Sequence, residues 1–101
     1  MEIVCIAQFK AIKNKKSDLI GALEQLVSPT KNEPGCLQYE LCSELEYNVP
    51  SDEMWDICLV EKWRSLEDFH LHCDTTYIKE FFDVTAKQCV EKSSVRLFRP
   101  Q

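Results

Sequence analysis

The side chains best suited to proton transfer and ligand binding crowd into one passage of this sequence. Both histidines (His70 and His72) and both tryptophans (Trp55 and Trp63) lie between residues 54 and 72. An imidazole titrates near neutral pH and can take up and return a proton there, which makes His72 the candidate base. Trp63 brings a flat apolar face and a single N–H donor, suited to stacking on a planar ligand. Tyr39 and Tyr77 add hydroxyls that can orient a ligand oxygen, and Gln8 adds an amide. Each has a structural alternative: a helix-end imidazole bonded to a backbone carbonyl for His72, core packing for Trp63 and Trp55, a structural or solvent-facing role for the others.

Other chemistries find less support. His70 and His72 stand two apart, so on a helix they point to different sides, whereas helical ligand pairs need a spacing of three or four; no metal is expected. The six cysteines (5, 36, 42, 58, 73 and 89) show no C-x-x-C pair, and four fall inside apolar patterns, so they read as reduced structural thiols. Glu44, Glu46, Glu67 and Asp68 read as solvated surface. With no Gly-rich phosphate loop and no G-x-S-x-G, nucleotide and serine-hydrolase chemistry have no motif.

These residues need elements to hold them. Trp55, Ile57, Leu59 and Trp63 alternate with Asp56, Cys58 and Val60, which predicts a strand. Ser65 with Asp68 three residues on predicts a helix start, because hydroxyl and carboxylate can satisfy free backbone donors there. Upstream, Ile3, Cys5, Ala7 and Phe9 alternate with Val4, Ile6 and Gln8, a strand apolar on both faces. Leu19, Ile20, Leu23, Leu26 and Val27 recur at helical spacing in a first helix that Ser28-Pro29 is expected to end. Glu33-Pro34-Gly35 predicts a turn, and Leu37, Tyr39, Leu41 and Leu45 a second strand, joined to the third through a loop at 47–52. Tyr77, Ile78, Phe81, Phe82, Thr85, Cys89 and Val90 form the stripe of a longer helix, and Val95, Leu97 and Phe98 a short last strand.

The order βαββαβ predicts an α+β, ferredoxin-like domain over residues 1–101: a four-stranded antiparallel sheet with helices on one face. The uncovered face would carry Val4, Ile6, Cys42, Met54, Cys58 and Val60, too apolar for water, so a homodimer packed sheet to sheet is expected. With 12 Lys and Arg against 17 Asp and Glu, the net charge of −5 repels a phosphate backbone and argues against nucleic acid. No apolar stretch reaches membrane-spanning length, and the early acid Glu2 is unlike a secretory leader, so a soluble cytoplasmic protein is expected.

Three segments together carry a family resemblance. Glu33-Pro34-Gly35-Cys36-Leu37-x-Tyr39-Glu40-Leu41, then Val60-Glu61-Lys62-Trp63-x-Ser65-Leu66-Glu67, then His72 with Thr75 and Tyr77, resemble the antibiotic biosynthesis monooxygenase domain, across essentially the whole chain. The resemblance implies a dimeric α/β barrel and a cofactor-independent oxygenase of quinols or other phenols, with dioxygen as second substrate. It gives His72 the phenolic proton to remove, because only the phenolate gives up an electron readily, and it gives Trp63 a place in the pocket wall. Two other readings follow from related branches: an isomerase of a small hydroxyketone of the autoinducer-processing type, using the same histidine, or a non-catalytic ligand-binding or stress-response module. The chain departs from the family where T-P-H is usual, having Thr75-Thr76-Tyr77. The haem-degrading Asn, Trp and His set is also unmatched, since His72 and Phe82 stand at the Trp and His positions.

Overall fold

The structure is a computed structural model covering residues 1–101. Strands β1 (Ile3–Ala11), β2 (Cys36–Cys42), β3 (Ile57–Trp63) and β4 (Val90–Phe98) form one antiparallel sheet in the order β2-β3-β1-β4. Helices α1 (Lys16–Lys31) and α2 (Leu66–Cys73) lie with a third helical run on one face of it. That run, 76–89, consists of α3 (Thr76–Glu80), a π-helical turn (Phe81–Thr85) and α4 (Ala86–Cys89). This is the expected ferredoxin-like α+β fold.

Alternation in β1 places Ile3, Cys5, Ala7 and Phe9 under the helices, and in β3 it does the same for Ile57, Leu59, Glu61 and Trp63. Leu19, Leu23 and Leu26 of α1 close over them, at the spacing that puts every third or fourth residue on one face. Phe81 meets Phe9 edge to face with centroids 5.8 Å apart. β4 is an edge strand that the helices only partly cover, so Val95 and Leu97 stay half exposed although they pair with Ala7 and Cys5 on the helix side.

Five sequence expectations need correction. α1 runs through Pro29 to Lys31, because proline in a last turn removes one hydrogen bond without preventing the remaining winding. Leu37 sits where the register slips between Cys36 and Gln38 and is half exposed, not in the inner face, and Trp55 precedes β3, where Lys92 Nζ lies 5.0 Å from its ring centroid. Leu45 lies beyond the end of β2 and is exposed. Val90 begins β4, making the last strand nine residues rather than a short one.

The face away from the helices carries Val4, Ile6, Cys42, Cys58 and Val60, all partly exposed. Ile6 pairs with Val60, Cys42 with Cys58 and Val4 with Phe98, so the apolar residues form one continuous stripe. No helix of the chain is long and apolar enough to cross a membrane.

Candidate active site

The α1–β2 turn and the start of α2 are locked together, and this lock places the first two polar groups of the site. Gly35 has φ +87, a left-handed backbone that favours glycine. A Cβ there would lie 2.4 Å from Asp68 Cγ. Gly35 O accepts from Arg64 N at 2.8 Å. Ser65 caps α2, its Oγ accepting from Asp68 N at 3.1 Å, as the Ser65–Asp68 spacing predicted. Arg64 grips the Asp68 carboxylate through Nε at 2.9 Å and Nη2 at 3.1 Å, which holds that carboxyl below the usual range.

From that cap, α2 turns Phe69 and His72 inward and leaves His70 and Leu71 exposed. The His72 ring is 3% exposed, and Nδ1 lies 2.9 Å from Glu33 Oε2. A carboxylate can only accept, so Nδ1 carries the proton in the neutral ring and Nε2 keeps its lone pair. Tyr77, from α3, donates its hydroxyl to the same Glu33 oxygen. Thr75 Oγ1 donates to His72 O at 2.8 Å and closes the end of α2. The ring of Trp63 lies against His72 at 4.5 Å between centroids and 36° between planes, and Tyr39 meets it edge-on at 5.5 Å. Burial pushes the His72 pKa below its ordinary 6.5, with Glu33 pulling partly the other way.

His72 lines a cavity between sheet and helices, together with Tyr39, Glu61, Phe69, Phe81 and Val95 among others. Its accessible space is about 50 Å³, and 13 of its 15 lining residues are hydrophobic. No lysine or arginine lines it. No three His, Cys, Asp or Glu side chains are grouped to hold a metal ion.

Of the residues singled out by sequence, His72 and Tyr39 come together at this cavity. Trp63 does not line it; fully buried, it backs the His72 ring. Tyr77 gives its hydroxyl to Glu33 rather than offering it to a ligand. Gln8 lies elsewhere, because alternation puts it on the far face of β1, opposite Cys58 and Ser94.

Two acids of the site carry no role in the sequence reading. Glu33 belongs to a turn there, and its partner His72 lies 39 residues away. Glu61 was assigned to neither face, although strict alternation sets it between Leu59 and Trp63 on the buried one, where an acid is conspicuous. It is 4% exposed, and its Oε1 accepts from Trp63 Nε1 at 2.9 Å. Burial pushes its pKa up to about 7, against the downward pull of the Trp63 and Cys5 hydrogen bonds.

The chain is thus a small α+β domain with a buried imidazole beside an apolar cavity. The family model described as antibiotic biosynthesis monooxygenase matches residues 2–84, and the chain belongs to that family. Among solved structures it is similar to protein SO0527 from Shewanella oneidensis, at 34% identity and a TM-score of 0.83, covering 96% of this chain and 88% of that one. It is similar in fold to a dimeric protein of unknown function and ferredoxin-like fold from Bacteroides fragilis, at 12% identity and a TM-score of 0.76, covering 98% and 96%. The uncharacterized protein sll1783 of Synechocystis is 24% identical over 98 residues, 96% of this chain but 62% of that protein's length.

Proposed function

We propose that the protein is a cofactor-independent monooxygenase of small quinols or phenols. The observation that carries this reading is the Glu33–His72 pair, which fixes the proton on Nδ1 of an imidazole that lines a mostly apolar cavity. Phenolic protons leave readily to a positioned imidazole, and the phenolate then reacts with dioxygen in a space from which water is largely excluded. One oxygen atom enters the ring and the other departs as water, the electrons coming from the substrate itself. Tyr39, whose ring centroid is 5.5 Å from that of His72, is the residue assigned in this reading to orient the phenolic oxygen.

The lining, with Glu61 and without a lysine or arginine, favours a neutral substrate over a phosphorylated hydroxyketone, whose dianion would meet that acid without a cation. A hydroquinone panel assayed with an oxygen electrode is expected to show uptake, lowered roughly 10²–10⁴-fold in His72→Ala. Unchanged uptake in that variant removes the base assignment. Oxygen-independent turnover of a hydroxyketone supports the isomerase instead. A raised melting temperature without turnover supports a binding module.

The apolar stripe on the far sheet face supports a homodimer, as does the dimeric neighbour of the same fold. Sedimentation velocity at micromolar concentration is expected to give the mass of two chains. A single-chain mass overturns it.

A further inference from the structure

We propose that Glu61 is a second proton-transfer residue of the cavity, serving the oxygen end of the reaction as His72 serves the phenol. The inference rests on the monooxygenase reading and narrows its substrates to phenols or quinols with an unsubstituted ring carbon ortho or para to the ionised hydroxyl.

The placement is unusual for a structural acid. Glu61 stands on β3, a central strand, under the helices and within the same cavity as His72. Buried carboxylates ordinarily face a cation. Among its hydrogen-bonding and ion-pair partners Glu61 has no cation, only the neutral indole N–H of Trp63 and the thiol of Cys5. That indole lies against the His72 ring, so one tryptophan joins the two groups at the wall of the cavity. A glutamine would accept the indole hydrogen bond equally well. What the carboxyl adds is a proton that can leave and return, and burial holding its pKa near neutrality lets it do both. Around it stand Cys5 on β1, Tyr39 on β2, and His72 and Cys73 on α2, with Glu33 beyond. Burial raises the pKa of both thiols and of the Tyr39 phenol, which leaves them protonated and unable to replace Glu61 as a base.

The step balances as follows. His72 takes the phenolic proton. The ring carbon bonds to dioxygen, the ring supplying the electrons, and the resulting peroxide anion takes the proton of Glu61. The Glu61 carboxylate then removes the hydrogen on that same carbon. Its bonding pair becomes the second bond of a carbonyl as the O–O bond breaks, and the departing hydroxide takes the proton held by His72. Phenol and dioxygen become quinone and water, and both residues return to their starting forms.

The test compares Glu61→Gln and Glu61→Asp with the wild-type protein, using hydroquinone and its ring-deuterated form. Glu61→Gln keeps the size and the acceptor for Trp63, and circular dichroism checks that it folds. Formation of the ring-hydroxylated quinone is expected to fall roughly 10²-fold, with hydrogen peroxide and unhydroxylated benzoquinone released in place of water, and the remaining hydroxylation is expected to show a deuterium isotope effect larger than in wild type. Glu61→Asp, still ionisable, is expected to restore part of the rate. Normal quinone yield and isotope effect in Glu61→Gln, with His72→Ala inactive, overturn this inference alone. No oxygen uptake by the wild-type protein with any phenol overturns the monooxygenase reading and this inference with it.

Discussion

Gly35→Ala is expected to lower the melting temperature by roughly 10–20 °C, the largest effect of any single methyl added to this chain. Two costs combine. An alanine at φ +87 pays roughly 1–2 kcal/mol for the left-handed backbone. Its Cβ would also fall 2.4 Å from Asp68 Cγ, on a carboxylate held by Arg64 and Ser65, so the neighbour cannot simply swing away. Displacing it disturbs the Ser65 cap, for a total of about 2–4 kcal/mol. Thermal unfolding followed by circular dichroism measures the total. Gly35→Asn separates the causes, because asparagine tolerates positive φ but keeps the Cβ. If space is the main cost, Asn damages the fold nearly as much as Ala; if it restores most of the stability, the collision matters little.

The second large effect is expected in turnover rather than folding. Glu33→Ala removes the single oxygen to which both the Tyr77 hydroxyl and His72 Nδ1 donate. Nothing then holds the ring proton on Nδ1, and the tautomer protonated on Nε2 becomes accessible. Oxygen uptake with hydroquinone is expected to drop roughly 10²–10⁴-fold, as when the acid behind a catalytic histidine no longer fixes its tautomer. Nitrogen chemical shifts of His72 report the tautomer without any substrate. An unchanged Nδ1–H signal in the variant would refute the role given to Glu33.

The same pair sets a pH dependence. Glu33 supports the protonated ring, so its loss is expected to lower the His72 pKa further. Because the folded pKa already lies below the ordinary 6.5, the unfolded chain binds more protons than the folded one just under that value. Stability contributed by neutral His72 is therefore present above 6.5 and is lost as pH falls through the folded pKa. Glu61 works in the opposite sense: raised to about 7, it favours the folded state at low pH, and its contribution is lost as pH climbs from 4.5 through 7.

Much of the fold was legible because it follows from period and from turn chemistry. The two-residue alternation of Ile3, Cys5, Ala7 and Phe9 needs no partner to be read, and Ser65 with Asp68 marks a helix start by itself. Features that depend on distant contacts were not legible. Nothing local announces that Glu33 will meet His72 and Tyr77, because their proximity is created by the Gly35–Asp68 lock across the top of the sheet. The register slip beside Leu37 and the wide turn at Phe81–Thr85 are likewise absorbed by neighbours rather than spelled by composition. Glu61 is different: strict alternation from Leu59 to Trp63 sets it on the buried face, so its place was legible although the sequence reading assigned it to neither face.

The wide turn at Phe81–Thr85 also bears on how this chain tolerates changes of length. The bulge takes up one extra residue between Ile78 and Cys89, both of which are buried. The run 76–89 thus holds a residue of slack at one known place. Dropping the exposed Val84 would let the helix close into ordinary winding with both anchors where they stand, whereas dropping a residue on either side would swing one anchor out of the core.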